Sequence, residues 1–433
     1  MKKVYITGHR NPDIDSICAA IAYARLKNKI DTHAQYIPVR CSHLNENAKK
    51  ILSMLKINAP VYMRDVYPKV SDVMLTDDDH LDINDSLFCL AQNYSSDKPS
   101  AMPVYNNGIF YGLISVDDVT TWAMSELAEK SGFRNIPKIK DIMQEHETCF
   151  NSTDLFEDCR KVLLSFKKRG VAVFENNHYV GYVTRRCFLD TPKYDVILVD
   201  HNEAGQSIKG IEKANILEII DHHRLAPLKT EQPIFIDAEP LGSTCTIIYQ
   251  IYIRNGITID CDTARVLLTG ILSDTLILKS PTTTPVDIYV SDCLAQLCGV
   301  NVEEYGLKIF SNIEGLKDRE PESAIISDFK EYNENNIKIG IGQCEVTTLK
   351  DLSSYENIYL ESLESVKTKY GLNWAFLMIT DVLTEHSILL ITDNDASKHL
   401  PYTYLKHNIY DMPGVLSRKK QLLPEVLHAI SII

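Results

Sequence analysis

VYITGHRNPDIDS, residues 4–16, decides the architecture. VYITG (4–8) is a short β-branched run that stops at a glycine, the pattern of a buried strand. Asn11-Pro12 disfavours helix at Asn11, so HRNPDIDS reads as a loop. From Ile14 onward, IDSICAAIAYARLKN (14–28) carries apolar residues at helical spacing, with Asp15 or Ser16 near the first turn. Strand, loop and helix in that order open a parallel α/β sheet.

The same character returns far down the chain. KYDVILVDHNE (193–203) and ILEIIDHHR (216–224) are apolar strands that end in charged residues. STCTIIYQIYIRNG (243–256) reads as a helix ending at Asn-Gly, and TARVLLTGILSDT (263–275) as an apolar helix with Asp274 at its end. Between the first strand and its later companions lies an internal repeat. PKVSDVM at 68–74 returns as PKIKDIM at 137–143, an offset of 69 residues, and FYGLISVDDV returns as YVGYVTRRCF at the same offset. Two copies of this size are expected to pack as a pseudo-dimer. The block, about Val66 to about Asp190, interrupts the α/β domain, because VILVD resumes directly after it. From about Asp318 to Ile433, the strand-like NIKIGIGQCEV and WAFLMITDV and a helical stretch at 351–370 read as a separate α+β domain. The polar link SNIEGLKDREPES reads as a hinge.

Composition limits the chemistry. The chain has 433 residues and a net charge of −13, which argues against a general nucleic-acid or anionic-membrane binder. A highly anionic substrate would need local cations or metal ions. Eleven cysteines with no CxxC pair argue against a disulfide scaffold or thiolate zinc site, and a cytoplasmic location is expected. The apolar stretch of the N-terminus is too short for a signal h-region, and no apolar run is long enough to span a bilayer.

Three segments place Asp or His just past a strand: His9, Asp13 and Asp15; Asp200; and Asp221, His222 and His223. Asp274 ends a buried helix. Ligands of open parallel sheets sit at the carboxyl ends of the strands, so these segments can converge. Carboxylates with a few imidazoles suit Mn²⁺, Mg²⁺ or Co²⁺ better than structural zinc. The set is too rich for one ion, whereas two ions about 3.5–4 Å apart would use it and would lower the pKa of a shared water. Each motif alone is more often a capped turn or a surface loop, and Asp15 alone could be an N-cap. Joint occurrence at several strand ends raises the odds. Arg418 and Lys419 of SRKKQ (417–421) follow the turn signal MPG; a charge run is by default a solvated loop, but across a hinge from a metal crevice these two could clamp phosphate oxygens. Lys330 is a weaker candidate of the same kind.

GHRNPDIDS, VDHNE, DHH, SDT and SRKK, in that order, resemble the family II inorganic pyrophosphatases of the DHH phosphoesterase superfamily. The repeat resembles a pair of cystathionine-β-synthase (CBS) domains, and the whole chain is similar to the regulated CBS-pyrophosphatases, without the extra domain that longer members carry between the copies. The resemblance implies a parallel-sheet DHH catalytic domain (1–65 and 191–314), CBS copies at 66–127 and 135–190, and a smaller α/β DHHA2 substrate-binding domain (318–433). It implies one metal on His9, Asp13 and Asp200 and a second on Asp15, Asp200, His222 and Asp274, with Asp221 behind them. His223 would face the substrate or the leaving phosphate, and Lys330, Arg418 and Lys419 would grip the substrate. Mn²⁺ or Co²⁺ would be preferred, Mg²⁺ would serve, and a homodimer would form.

CBS pairs commonly bind AMP-, ADP- or ATP-type nucleotides, with a hydroxyl residue and an acid three positions later on the ribose. The first copy keeps both as Ser115 and Asp118, while the second has Thr184 but Cys187. One principal regulatory site per chain is expected, with Lys98, Lys168 and Arg169 as candidate phosphate contacts; the alternative is a dimerisation module only. Two other functions compete with this one. A DHH phosphoesterase acting on short oligonucleotides or phosphoadenosine phosphate would carry a glycine-rich motif, and this chain has no Gly-Gly pair. A non-catalytic sensor would have lost ligands, and every required position is occupied.

Overall fold

The computed structural model describes residues 2–432 apart from 77–78, 94–99, 130–134, 144–147, 166–168, 227–228, 311–314, 335–336, 347 and 383. Lys2–Thr7, the strand around which the chain is built, pairs in parallel with Ala34–Arg40 on one side and Asp195–Val199 on the other. The sheet continues outward to Val61–Tyr62 beyond the former and to Asn215–Asp221 and Phe235–Ala238 beyond the latter, all in parallel. The winding direction therefore reverses between Lys2–Thr7 and Asp195–Val199, which opens a crevice at their carboxyl ends. Every residue of Asp195–Val199 is buried, as a strand covered on both faces requires.

Helix Ile14–Ile30 packs against helix Cys261–Asp274 within one core. The approach is close because Gly270 faces Cys18, Cys245 and Asp15 where a side chain would not fit. Asp13 caps helix Ile14–Ile30, its carboxylate accepting from Ser16 N at 2.9 Å. Neither Asp15 nor Ser16 is the cap; both lie inside the helix and are buried.

The C-terminal part forms a mixed sheet in the order Phe329–Glu334, Ile337–Val346, Trp374–Asp381, His386–Ile391, Ile409–Pro413, Thr403–Lys406. Its central strand Trp374–Asp381 is buried throughout and alternates between two cores. Ala375, Leu377 and Ile379 meet helix Leu352–Tyr370, while Trp374, Phe376 and Met378 meet helix Leu423–Ser431. The expected hinge lies partly outside the described residues (311–314); past it, Pro321 starts a short helix, Pro321–Ser327. Residues 1–66 and 195–433 form one compact unit, and 67–194 a second.

The second unit repeats itself as the sequence does. Leu81–Asp82, Ala101–Asn106 and Ile109–Ser115 form one three-stranded sheet, and Cys149–Asn151, Gly170–Glu175 and His178–Thr184 the other. Each hairpin turns through two residues with positive φ, Asn107-Gly108 and Asn176-Asn177, as two-residue turns with this twist demand. The lead-in segments are exchanged between copies. Val70 packs with Phe150, Phe156 and Val183 of the second copy, and Ile139 packs with Leu81, Val104 and Ile114 of the first. Four aromatics at equivalent positions, Tyr105 and Phe110 with Phe174 and Tyr179, meet on the pseudo-twofold; Phe110 stacks on Tyr179 at 3.6 Å. Among the described residues, no helix is long and apolar enough to cross a membrane.

Candidate active site

The crevice at the strand ends gathers the acids and imidazoles. His9 and Asp13 lie on the loop after Lys2–Thr7, and Asp200 directly follows Asp195–Val199. His9 Nε2 is 3.2 Å from Asp13 Oδ2 and 3.4 Å from Asp200 Oδ2. His222 Nε2 is 3.4 Å from both Asp200 Oδ1 and Asp274 Oδ2. Donor atoms within 4.8 Å of one another fall into three overlapping sets: His9, Asp13 and Asp200; Asp15, His222 and Asp274; and Asp200, His222 and His223.

Local structure aims these groups. Gly8 leaves room for Ser16 Oγ, which accepts from His9 N at 3.1 Å. His222 Nδ1 donates to Leu241 O at 3.0 Å, which fixes the ring with Nε2 toward Asp200 and Asp274. Asp200 takes a left-handed φ of +60°, and Leu276, Ile277 and Leu278 behind Asp274 do the same at +49°, +56° and +62°. Such residues cost roughly 1–2 kcal/mol each and persist where the surroundings over-determine them.

Sequence reasoning missed Ser243 and Thr244. Ser243 Oγ donates to Asp15 Oδ1 at 2.6 Å and Thr244 N to Asp15 Oδ2 at 2.7 Å, while Thr244 Oγ1 donates to Asp200 Oδ1 at 3.0 Å. The helix start at 243 was legible, but not that its N-terminus would point at two carboxylates from elsewhere. Asn202 was also missed; its Nδ2 donates to Asp221 Oδ2 at 2.5 Å and to Arg224 O.

The charges are interdependent. Burial alone would lower the pKa of His9, but Asp13 and Asp200 outweigh it and raise it to about 10. His222 reaches about 10 through Asp200 and Asp274 against the same burial. Burial, reinforced by Asp200, raises Asp15 to about 7 and Asp274 well above the usual carboxylate range. Asp200 goes the other way, held low by hydrogen bonds from His222 and His9 although burial opposes it. Burial and the adjacent Lys330 push His223 down to about 3.

Asp200 Oδ2 is buried and makes no hydrogen bond of good geometry among the described residues, His9 Nε2 standing 3.4 Å away, so a closer cation would improve its surroundings. Oxygen- and imidazole-rich sets sharing Asp200 and His222 therefore fit divalent ions of the manganese type.

The cations share with this group a cavity of 480 Å³ whose walls include Asp13, His222, Asp274, Lys330, Arg418 and Lys419. Lys330 Nζ lies 2.9 Å from His223 Nε2, and His223 Nδ1 lies 2.8 Å from Asp221 Oδ1. Burial, with Lys330 alongside, lowers the pKa of Lys419. Arg418 is buried and paired with Asp328 at 2.8 Å.

In the inserted unit, Ser115 and Asp118 are buried and bonded to each other, Asp118 Oδ2 accepting from Ser115 N and Oγ at 2.7 and 2.6 Å. This is a capping box on helix Val116–Ala128. Thr184 N donates to Cys187 Sγ at 3.3 Å in the equivalent place. Arg169 pairs with Asp117 at 2.9 Å, and Lys98 and Lys168 lie outside the described residues.

The DHH family, N-terminal domain, matches residues 3–271 and the DHHA2 domain residues 307–429. A manganese-dependent inorganic pyrophosphatase of Methanothrix thermoacetophila is 37% identical over 240 residues, covering 54% of this chain and 77% of its own. The chain belongs to the family II inorganic pyrophosphatases of the DHH family. Along nearly its whole length it is also similar to a cobalt-dependent inorganic pyrophosphatase of Clostridium perfringens, at 28% identity over 99% of this chain and 98% of that one. In fold it is similar to the solved structure of a candidate family II inorganic pyrophosphatase from Methanococcus jannaschii, with a TM-score of 0.63, 23% identity and 99% coverage of both chains.

Proposed function

We propose that this chain hydrolyses pyrophosphate to two phosphates with two divalent ions, Mn²⁺ or Co²⁺ by preference. The observation that carries the reading is the run of three donor sets in the crevice, the His9 and Asp15 sets linked through Asp200 and His222, with Lys330 and Lys419 lining the same cavity. His9, Asp13 and Asp200 would hold one ion, and Asp15, Asp200, His222 and Asp274 the other. When bound, the ions would neutralise phosphate charge and acidify the attacking water.

The chain's own groups do the rest by positioning and charge, which dominate phosphoryl transfer. Thr244 and Ser243 fix the carboxylates of Asp200 and Asp15 before substrate arrives. His223 Nδ1–H is committed to Asp221 and Nε2 accepts from Lys330 Nζ at 2.9 Å, so His223 holds the Lys330 ammonium in the cavity where substrate would bind. Lys419 and Arg418 add positive charge to the same cavity, which a protein of net charge −13 needs in order to hold a polyanion.

The inserted unit is read as a CBS pair that binds adenine nucleotides and adjusts activity, with Ser115 and Asp118 in the principal site. Support comes from the repeat and its exchanged lead-ins. Typical couplings of this kind are about 1–3 kcal/mol. A homodimer and a cytoplasmic location complete the proposal.

Purified protein with Mn²⁺ is to be given pyrophosphate, a short RNA and phosphoadenosine phosphate in turn. Phosphate release from pyrophosphate alone is expected; release from RNA but not pyrophosphate would reject the reading. Calorimetry with AMP and ADP tests the insert, and absence of heat at millimolar ligand would reject nucleotide binding.

A further inference from the structure

The cleft holds a buried arginine with one edge occupied and the other without a full set of partners among the described residues. Arg418 is 7% exposed. Its Nη1 donates to the main-chain oxygens of Asp328 at 2.6 Å and Ile341 at 3.2 Å, and Nη2 donates to Asp328 Oδ1 at 2.8 Å. Nε is buried and has no hydrogen-bond partner among the described residues.

A guanidinium offers two bidentate edges, Nη1/Nη2 and Nε/Nη2. Asp328 fills the first with its carboxylate and its own carbonyl. The second is left with the Nε–H and the remaining Nη2–H, a fork that matches two oxygens of a phosphate. Arg418 lines the same cavity as Lys330, Lys419 and His223. Leaving a buried N–H unmet is costly, and a bound phosphate would remove that cost.

Asp328 is itself well fixed. It directly follows helix Pro321–Ser327 and precedes the strand that carries Lys330, and its carbonyl also accepts from Gln343 N at 2.9 Å. A buried arginine without such a partner would swing toward any nearby acid, and half-buried Glu345 lines the same cavity.

We propose that Asp328 is a positioning residue: it clamps the Nη1/Nη2 edge of Arg418 so that the Nε/Nη2 edge is presented to a phosphate group of pyrophosphate. This rests on the pyrophosphatase reading and deepens it. Asp328 touches no substrate in this account and acts only through Arg418.

The test uses the full chain loaded with Mn²⁺. Imidodiphosphate, which cannot be hydrolysed, is titrated by calorimetry, and pyrophosphate turnover is followed in parallel. Asp328→Ala and Arg418→Ala are each expected to weaken imidodiphosphate binding roughly tenfold, as loss of one charge-assisted fork predicts. Combined, they should be no more than about threefold worse than either alone, since two residues acting as one do not add. Wild-type affinity in Asp328→Ala, or losses that multiply in the double variant, would overturn the proposal. Mn²⁺ affinity should be unchanged in both, which separates positioning from collapse of the fold. If Asp328→Ala does not fold, Asp328→Asn carries the test: about threefold or greater weakening supports the clamp, and wild-type affinity overturns it. A wild-type chain that neither binds imidodiphosphate nor hydrolyses pyrophosphate sinks the parent reading and this one with it. Binding by wild type with Asp328→Ala unaffected sinks the clamp alone.

Discussion

Gly270→Ala sets two effects of known size against each other. Gly270 lies within helix Cys261–Asp274, and there alanine is favoured over glycine by about 0.8–1 kcal/mol on helix propensity. The added methyl, however, would press into Cys245 Sγ, come within 2.8 Å of Asp15 Oδ1 and meet Cys18 Cβ at 3.2 Å. None of these neighbours can yield freely. All three are buried, and Asp15 Oδ1 is pinned by Ser243 Oγ at 2.6 Å and Cys245 N at 3.2 Å. Overpacking of a closed core costs about 1–3 kcal/mol. The net expectation is destabilisation of up to about 2 kcal/mol. The functional effect should be larger, because the displaced atom belongs to a proposed metal ligand. Urea unfolding gives the stability, and Mn²⁺ titration the affinity of the set built on Asp15, His222 and Asp274. Adding Cys245→Ala should restore part of the stability by removing the nearest obstacle. A Gly270→Ala protein more stable than wild type, with Mn²⁺ binding unchanged, would refute the reasoning.

Asp260 caps helix Cys261–Asp274 through Thr263 N at 2.8 Å; burial opposes its charge, but the bonds from Thr263 and Lys29 hold its pKa down to about 2. Its contribution is therefore present above its unfolded pKa of about 4 and lost as pH falls through about 2. Asp260→Ala should cost about 1 kcal/mol in denaturant at pH 7, and the difference from wild type should vanish toward pH 2. Ile139→Ala should cost about 2–5 kcal/mol and, because Ile139 is buried in the first copy's core, should speed hydrogen exchange in Ala101–Asn106; an effect confined to 149–184 would count against exchanged lead-ins. Free Mn²⁺ at one hundred times its Kd should raise stability by about 2.7 kcal/mol per occupied site, and a chelator should abolish the gain; an unfolding midpoint indifferent to both would remove the metal centre from the account.

Much of this was readable from residues 4–16, because a β-branched run, an Asn-Pro break and a helical period leave few alternatives. The repeat at an offset of 69 likewise foretold two equivalent sheets. What it could not foretell was the exchange of Val70 and Ile139 between copies, since either segment is apolar enough to pack on its own copy. Asp13 rather than Asp15 became the helix cap, because the side chain one residue before the helix reaches Ser16 N while Asp15 turns into the core. The strand ends marked His9, Asp200 and His222 because sheet topology alone brings them together. Ser243, Thr244, Asn202 and Asp328 left no comparable signal. Each acts through a partner distant in sequence, and a single polar residue at a helix or strand terminus is explained well enough by local capping. Ser115 and Asp118 show the same ambiguity from the other side: the spacing expected of a ribose grip is also the spacing of a capping box, and the latter bonds are already made.

The central claim is that Asp200 joins two metal sites. Anomalous diffraction at the manganese edge from crystals grown with Mn²⁺ tests it most directly. The account predicts two peaks within about 4 Å of each other, both against Asp200, one also on His9 and Asp13 and the other on Asp15, His222 and Asp274. A single peak, or two that do not share Asp200, would contradict it.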